Sequence, residues 1–295
     1  MKFLRFKHNG HEQLGIFSPD EKNILSISSV LQGKDYNDMN TLIEKITSEE
    51  IQTLKEANDN PNDFNRTSLD EVELLSPIER PIHDIICIGL NYADHIGEVR
   101  GVSDKEVNYD NIVYFSKRAS RIIGSNQIIK GHFDLDPNLD YEVELAVIIG
   151  KEGKNIKKDQ VQDYIFGYSV FNDLSARQLQ MDHNQWYRGK SLDNYSAMGP
   201  CILYKDELDH PIELDISTKV NGEIRQESNT RNFINNIGAI IEEISNGITL
   251  EPGDIIVTGT PSGVGAGFNP PKFLKPGDIV QCEIEKIGKL INKIN

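Results

Sequence analysis

The chain has 295 residues, 38% of them hydrophobic, and a formal net charge of -15. That length buries a sizeable core in one large or two modest domains, and the ordinary apolar content excludes wholesale disorder. The acidic balance argues against a nucleic-acid partner but leaves room for a small anionic substrate at a locally cationic site.

Residues 1–78 read as a small N-terminal α+β domain. Strand-like runs cover Phe3 to Phe6, Leu14 to Phe17 and Ile24 to Ser26. An acidic amphipathic helix is expected from Met39 to Ala57, with Leu42, Ile43, Ile46, Ile51 and Leu54 on its apolar stripe. The polar stretch Asn58 to Asp63 ends it as an exposed connection.

From about Pro77 the texture changes to apolar strands punctuated by glycine, and residues 79–295 read as a second domain. His95 and Glu98 lie three apart, on one face of a helical turn. A carboxylate that orients an imidazole makes a general base near neutral pH; read alone, such a pair is more often a surface ion pair. The polar segment Gly97 to Asn111 is expected to form a lid.

Tyr141 to Ile149 reads as a strand in which Glu142 and Glu144 point the same way, about 7 Å apart. Two carboxylates side by side in an apolar strand repel and are costly to desolvate, so a divalent metal ion is expected between them. Ala146 and Ile148, on the same face, argue against a solvated one. Asp173 ends the apolar run that begins at Ile165. It reads either as a helix cap or as a third carboxylate, and an all-oxygen set suits Mg²⁺ or Mn²⁺ rather than zinc. Arg177 and Lys190 follow, the latter in a loop-like Gly/Ser stretch where it would neutralise the cluster or hold a substrate carboxylate.

Further on, Asn221-Gly222 signals a hairpin and Phe233 to Ile244 a helix. Val257 to Gly267 resembles a nucleotide loop but lacks Gly-Lys-Ser/Thr; it reads as a loop whose N–H groups and Thr260 meet an anion. Strands outnumber helices without β-α alternation, so the expected class is mostly β with a few helices (α+β). Cys87, Cys201 and Cys282 sit far apart in apolar runs, which implies neither disulfides nor a thiolate zinc site. No apolar stretch reaches transmembrane length, and Met1 to Gly10 has no signal-peptide core, so the cytoplasm is the expected compartment.

Five segments in order give the chain a family resemblance. They are Gly89-Leu90-Asn91-Tyr92-Ala93-Asp94-His95, Asp140-Tyr141-Glu142-Val143-Glu144-Leu145-Ala146, Asn172-Asp173-Leu174-Ser175-Ala176-Arg177, Gly189-Lys190-Ser191 and Thr258 to Gly265. Together they resemble the fumarylacetoacetate hydrolase family, and the tail Gly267 to Leu274 resembles its bacterial branch of oxaloacetate decarboxylases and acylpyruvases. The resemblance implies a β-roll or barrel catalytic domain, a homodimer, and Mg²⁺ or Mn²⁺ on Glu142, Glu144 and Asp173. It implies a lid dyad of His95 and Glu98, with Lys190, Arg177, Gln180 and Thr260 around the ligand. Leu90 departs from it, standing where some members carry arginine.

The implied activity is metal-dependent C–C cleavage of a small β-keto or 2,4-dioxo acid through a pyruvate enolate, by oxaloacetate decarboxylation or acylpyruvate hydrolysis. Two alternatives are a hydratase or isomerase of the open-chain oxo acids produced by aromatic ring cleavage and a non-catalytic module that binds an oxo acid or a protein.

Overall fold

The computed structural model describes residues 1–100 and 111–295; of the segment read as a lid, residues 101–110 lie outside them. Strand outweighs helix, 35% to 24% of the described residues, which bears out the mostly-β expectation. An eleven-stranded sheet runs in the order Arg66–Ser68, Asn23–Ser26, His11–Phe17, Lys2–His8, Ser196–Tyr204, Ile165–Asp173, Val143–Ile149, Ile255–Val257, Ile85–Gly89, Val113–Lys117. Glu73–Leu75 branches from Lys2–His8. The sheet is thus continuous from the N-terminal strands into the rest of the chain, joined where Lys2–His8 pairs with Ser196–Tyr204. Its two ends do not pair with each other, so it stays open and does not close into the expected barrel. A second sheet of five strands (Glu223–Asn229, Asp215–Val220, Ile279–Ile284, Gly288–Ile294, Ile128–Ile129) packs beside it.

Val143–Ile149 is central, flanked antiparallel on both sides and buried on both faces. Val143, Leu145 and Val147 pack into one core, and Ala146 and Ile148 into another shared with Phe3, Ile16 and Leu54 of the N-terminal region. The carboxylate-bearing face is therefore buried along its length, as the apolar neighbours implied.

The expected helix from Met39 to Ala57 is two, Met39–Lys45 and Ser48–Asp59. A capping box breaks it: Glu50 N–H donates to Thr47 Oγ1 at 3.2 Å, and Thr47 N–H donates back to Glu50 at 3.0 Å. The later helix is Ile237–Ser245, starting where Asn236 accepts from Ala239 N–H. Phe233, placed on that helix by sequence, instead packs edge-on against Tyr92 with ring centroids 5.1 Å apart. At the hairpin, Asn221 and Gly222 take φ of 51° and 84°, the left-handed pair that a type I′ turn requires. The three cysteines are buried and free.

Candidate active site

The three carboxylates meet because of strand register. Val143 pairs with Asn172 and Glu144 with Phe171, so Asp173 falls opposite Glu142, and its N–H donates to Glu142 O at 2.8 Å. Glu142 precedes the regular strand by one residue, yet its side chain keeps the face of Glu144. Glu142, Glu144 and Asp173 are 5%, 1% and 0% exposed, and one oxygen of each lies within 4.8 Å of the others. Asp173 caps no helix, since Ala176 holds the cap position of the helix Arg177–Asp182.

Cations compensate this charge unevenly. Lys190 Nζ donates to Glu142 at 2.7 Å and to Asp173 at 2.9 Å. It sits in a short helix, Tyr187–Lys190, not in the expected loop. That helix comes close because Gly189 has no Cβ, which would stand 2.5 Å from Gln180 N. Arg177 is paired with Asp140 at 2.8 Å and with Glu142 at 2.7 Å, but its Nη2 makes no aligned hydrogen bond.

Lys117, which the sequence reading passed over, is fully buried and donates to Asp173 and to Leu174 O. Its signal was the strand period: Lys117 shares a face with Val113 and Phe115.

Glu144 receives one hydrogen bond, 2.7 Å from Gly259 N–H, and among the described residues no cationic side chain pairs with it. Burial, then repulsion from Asp173 and Glu142, pushes its carboxyl well above the ordinary range. Burial pushes Glu142 the same way, but Lys190 and Arg177 outweigh it and hold that carboxyl low. An all-oxygen pocket one positive group short at Glu144 fits a hard divalent cation.

His95 and Glu98 lie on the helix Ala93–Arg100 with Nδ1 to Oε2 at 3.0 Å. His95 is buried, so this is not the surface pair that the motif read alone favoured. The glycine loop that follows Val257 holds the pair. Gly263 N–H donates to Glu98 at 3.0 Å, and Ser262 Oγ to Asp94 at 2.8 Å. The anions met by this loop's N–H groups are the protein's own: Glu98, Glu144 through Gly259, and Asp140 through Gly265 and Ala266. Thr260 Oγ1 donates to Val143 O and accepts from Gln226. Asp140, which sequence reasoning gave no role, ties this loop to Arg177.

A cavity of about 80 Å³ gathers His95, Glu142, Glu144, Arg177, Gln180, Lys190 and Thr260. Glu98 stands behind His95, and Asp173 behind Lys190, outside the lining. Ile88, Leu90, Phe115 and Trp186 supply apolar walls. Leu90, at φ 57°, presents a side chain without charge. A larger groove of about 340 Å³ beside the Ser48–Asp59 helix contains none of these groups.

The chain resembles known proteins over its whole length. The oxaloacetate tautomerase YisK of Bacillus subtilis (strain 168) is 45% identical over 240 residues, 81% of this chain and 78% of that protein. Among solved structures, a fumarylacetoacetate hydrolase of Exiguobacterium antarcticum superposes with a TM-score of 0.85 at 36% identity, covering 100% of this chain and 99% of that one. The maleylpyruvate hydrolase of Sphingobium sp. SYK-6, in complex with manganese(II) and pyruvate, gives 0.76 at 27%, covering 100% and 98%. The model of the fumarylacetoacetate (FAA) hydrolase C-terminal domain matches residues 84–295, and the chain belongs to the fumarylacetoacetate hydrolase family.

Proposed function

We propose that this protein is a divalent-metal-dependent enzyme that enolises a small 2-oxo acid, with keto–enol interconversion of oxaloacetate as its first candidate reaction. The observation that carries the reading is that Glu142, Glu144 and His95 line one small cavity together with Arg177, Gln180 and Lys190. Its volume of about 80 Å³ lies below the roughly 300 Å³ at which drug-sized pockets begin. Small acids suit it best.

A divalent ion held by Glu142, Glu144 and Asp173 would supply Lewis-acid stabilisation of the negative charge that develops on the 2-oxo oxygen. Glu98 holds a proton on His95 Nδ1 and leaves Nε2 to take and return a proton. From keto oxaloacetate the C3 proton leaves, its electron pair forms the C2–C3 double bond, and the 2-oxo oxygen gains a proton. Lys190 and Arg177 offer donors to the acid's carboxylates, with Gln180, which accepts from Arg177 Nη1 at 3.0 Å, fixing the guanidinium plane. Thr260 steadies the strand start that carries the acidic groups.

The 45% identical relative named an oxaloacetate tautomerase supports this reading. C–C cleavage, as acylpyruvate hydrolysis or oxaloacetate decarboxylation, is the second reading, supported by the solved hydrolase complex with manganese and pyruvate. There the same imidazole would activate water. The deciding experiment follows the oxaloacetate enol signal, pyruvate release and acetylpyruvate loss side by side, with Mn²⁺ or EDTA. Metal-dependent loss of enol without pyruvate supports the tautomerase. Pyruvate formed at a matching rate supports cleavage, and no metal-dependent change in any of the three sinks both.

A further inference from the structure

One wall of the cavity is aromatic and has a construction that the reaction chemistry does not require. Phe115 and Trp186 meet edge to face, ring centroids 5.2 Å apart at 70°. Behind the indole lies Gly89: a Cβ there would stand 2.7 Å from Trp186 Cζ3 and 3.2 Å from Val113 Cγ1. The indole is therefore wedged against backbone on one side and a phenyl ring on the other. Lys190 Nζ stands 5.2 Å from the Phe115 centroid, so the wall begins directly beside the carboxylate cluster.

Trp186 is not a core residue. It is half-buried, just before a four-residue helix whose neighbours Gln185 and Tyr187 are exposed. A bulky apolar side chain held at the rim of a small polar cavity acts on what enters.

We infer that Trp186, seated on Gly89 and Phe115, is the specificity-determining wall that limits the distal arm of the acid. The site accepts acids whose distal group is small and rejects those with a bulky apolar arm such as phenyl. This rests on the reading that a 2-oxo acid binds in this cavity beside a divalent ion on Glu142, Glu144 and Asp173, and it adds which acids qualify. The contacts fix the direction of two substitutions. Trp186→Ala removes the wall. Gly89→Ala sets a Cβ 2.7 Å from Trp186 Cζ3 and should push the indole off its seat toward the cavity that it lines.

The test is calorimetric binding of two probes to the Mn²⁺-loaded protein, with the benzoylpyruvate sample checked for intact probe after each titration: oxalate, which needs no distal space, and benzoylpyruvate, which carries a phenyl arm. The quantity read is the ratio of their Kd values. Wild type should discriminate against benzoylpyruvate; Trp186→Ala should reduce that ratio about tenfold or more, and Gly89→Ala should raise it.

A ratio unchanged within twofold in a folded Trp186→Ala that still binds oxalate overturns the inference. Should Trp186→Ala not fold, Gly89→Ala decides by the sign of its change. If oxalate binds to none of the three proteins, the underlying reading of the site fails, and the inference with it. If wild type binds oxalate, excludes benzoylpyruvate and turns over no oxo acid, the wall stands and the proposed reaction is what fails.

Discussion

Gly267 and Glu98 share one space: a Cβ on residue 267 would overlap the Glu98 carboxylate. That carboxylate is aimed at His95 Nδ1 and also accepts from Gly263 N–H. The glycine loop thus serves as the seat of the histidine–glutamate pair. Gly267 is exposed and its φ is not in the left-handed region, so alanine costs the backbone little. Gly267→Ala should lower kcat on the order of 10–100-fold by displacing Glu98, with little change in Tm. Steady-state kinetics beside a thermal melt checks this; an unchanged kcat would remove Glu98 from the mechanism.

Glu144 is a buried carboxylate without a cationic partner among the described residues. Glu144→Gln keeps the shape and removes the charge. The metal-free variant should therefore melt higher than metal-free wild type near neutral pH. Mn²⁺ at a hundredfold excess over Kd should add about 2.7 kcal/mol to wild type and far less to the variant. Melts with and without Mn²⁺ test both halves, and equal metal stabilisation of the two proteins would exclude Glu144 as a ligand.

Lys117 has no exposed surface and its ammonium bonds to Asp173 and Leu174 O. Lys117→Met should destabilise by about 3–5 kcal/mol, the usual consequence of removing one partner of a buried ion pair. It should also change Mn²⁺ affinity, because Asp173 would be left to Lys190 alone. Denaturant unfolding and calorimetry read the two effects separately.

Two histidines remote from the site should tilt the pH profile of stability in opposite directions. Burial lowers the pKa of His210 below 6.5, beside the Tyr168 hydroxyl at 2.9 Å. The folded state then binds fewer protons than the unfolded one, so this contribution is lost as pH falls below 6.5. The Asp254 carboxylate, 2.7 Å away, raises the pKa of His83 against a smaller opposing effect of burial. That contribution is full below 6.5 and lost as pH rises through the raised value. Tm measured from about pH 5 to 8 should show less acid loss in His210→Asn and less alkaline loss in His83→Asn. Parallel profiles for all three proteins would contradict it.

Local periodicity determined much of this by itself. The period of two put Glu142 and Glu144 on one face with Ala146 and Ile148, and an i,i+3 spacing put Glu98 under His95. The capping box at Thr47 was also legible, in a Thr-x-x-Glu signature that splits the helix assumed to run through it.

Tertiary structure decided what crosses between segments. Antiparallel register, not any local pattern, set Asp173 opposite Glu142 some thirty residues away in sequence. Packing of a third strand delivered Lys117 to the same carboxylate, and the close approach at Gly189 brought in Lys190. The glycine loop looked like an anion cradle because its N–H groups were free on paper; in the fold Glu98, Glu144 and Asp140 take them. A sequence states which groups need partners, because desolvation cost follows from residue type. Only the fold states which partners arrive, because those distances depend on register and packing between elements far apart in the chain.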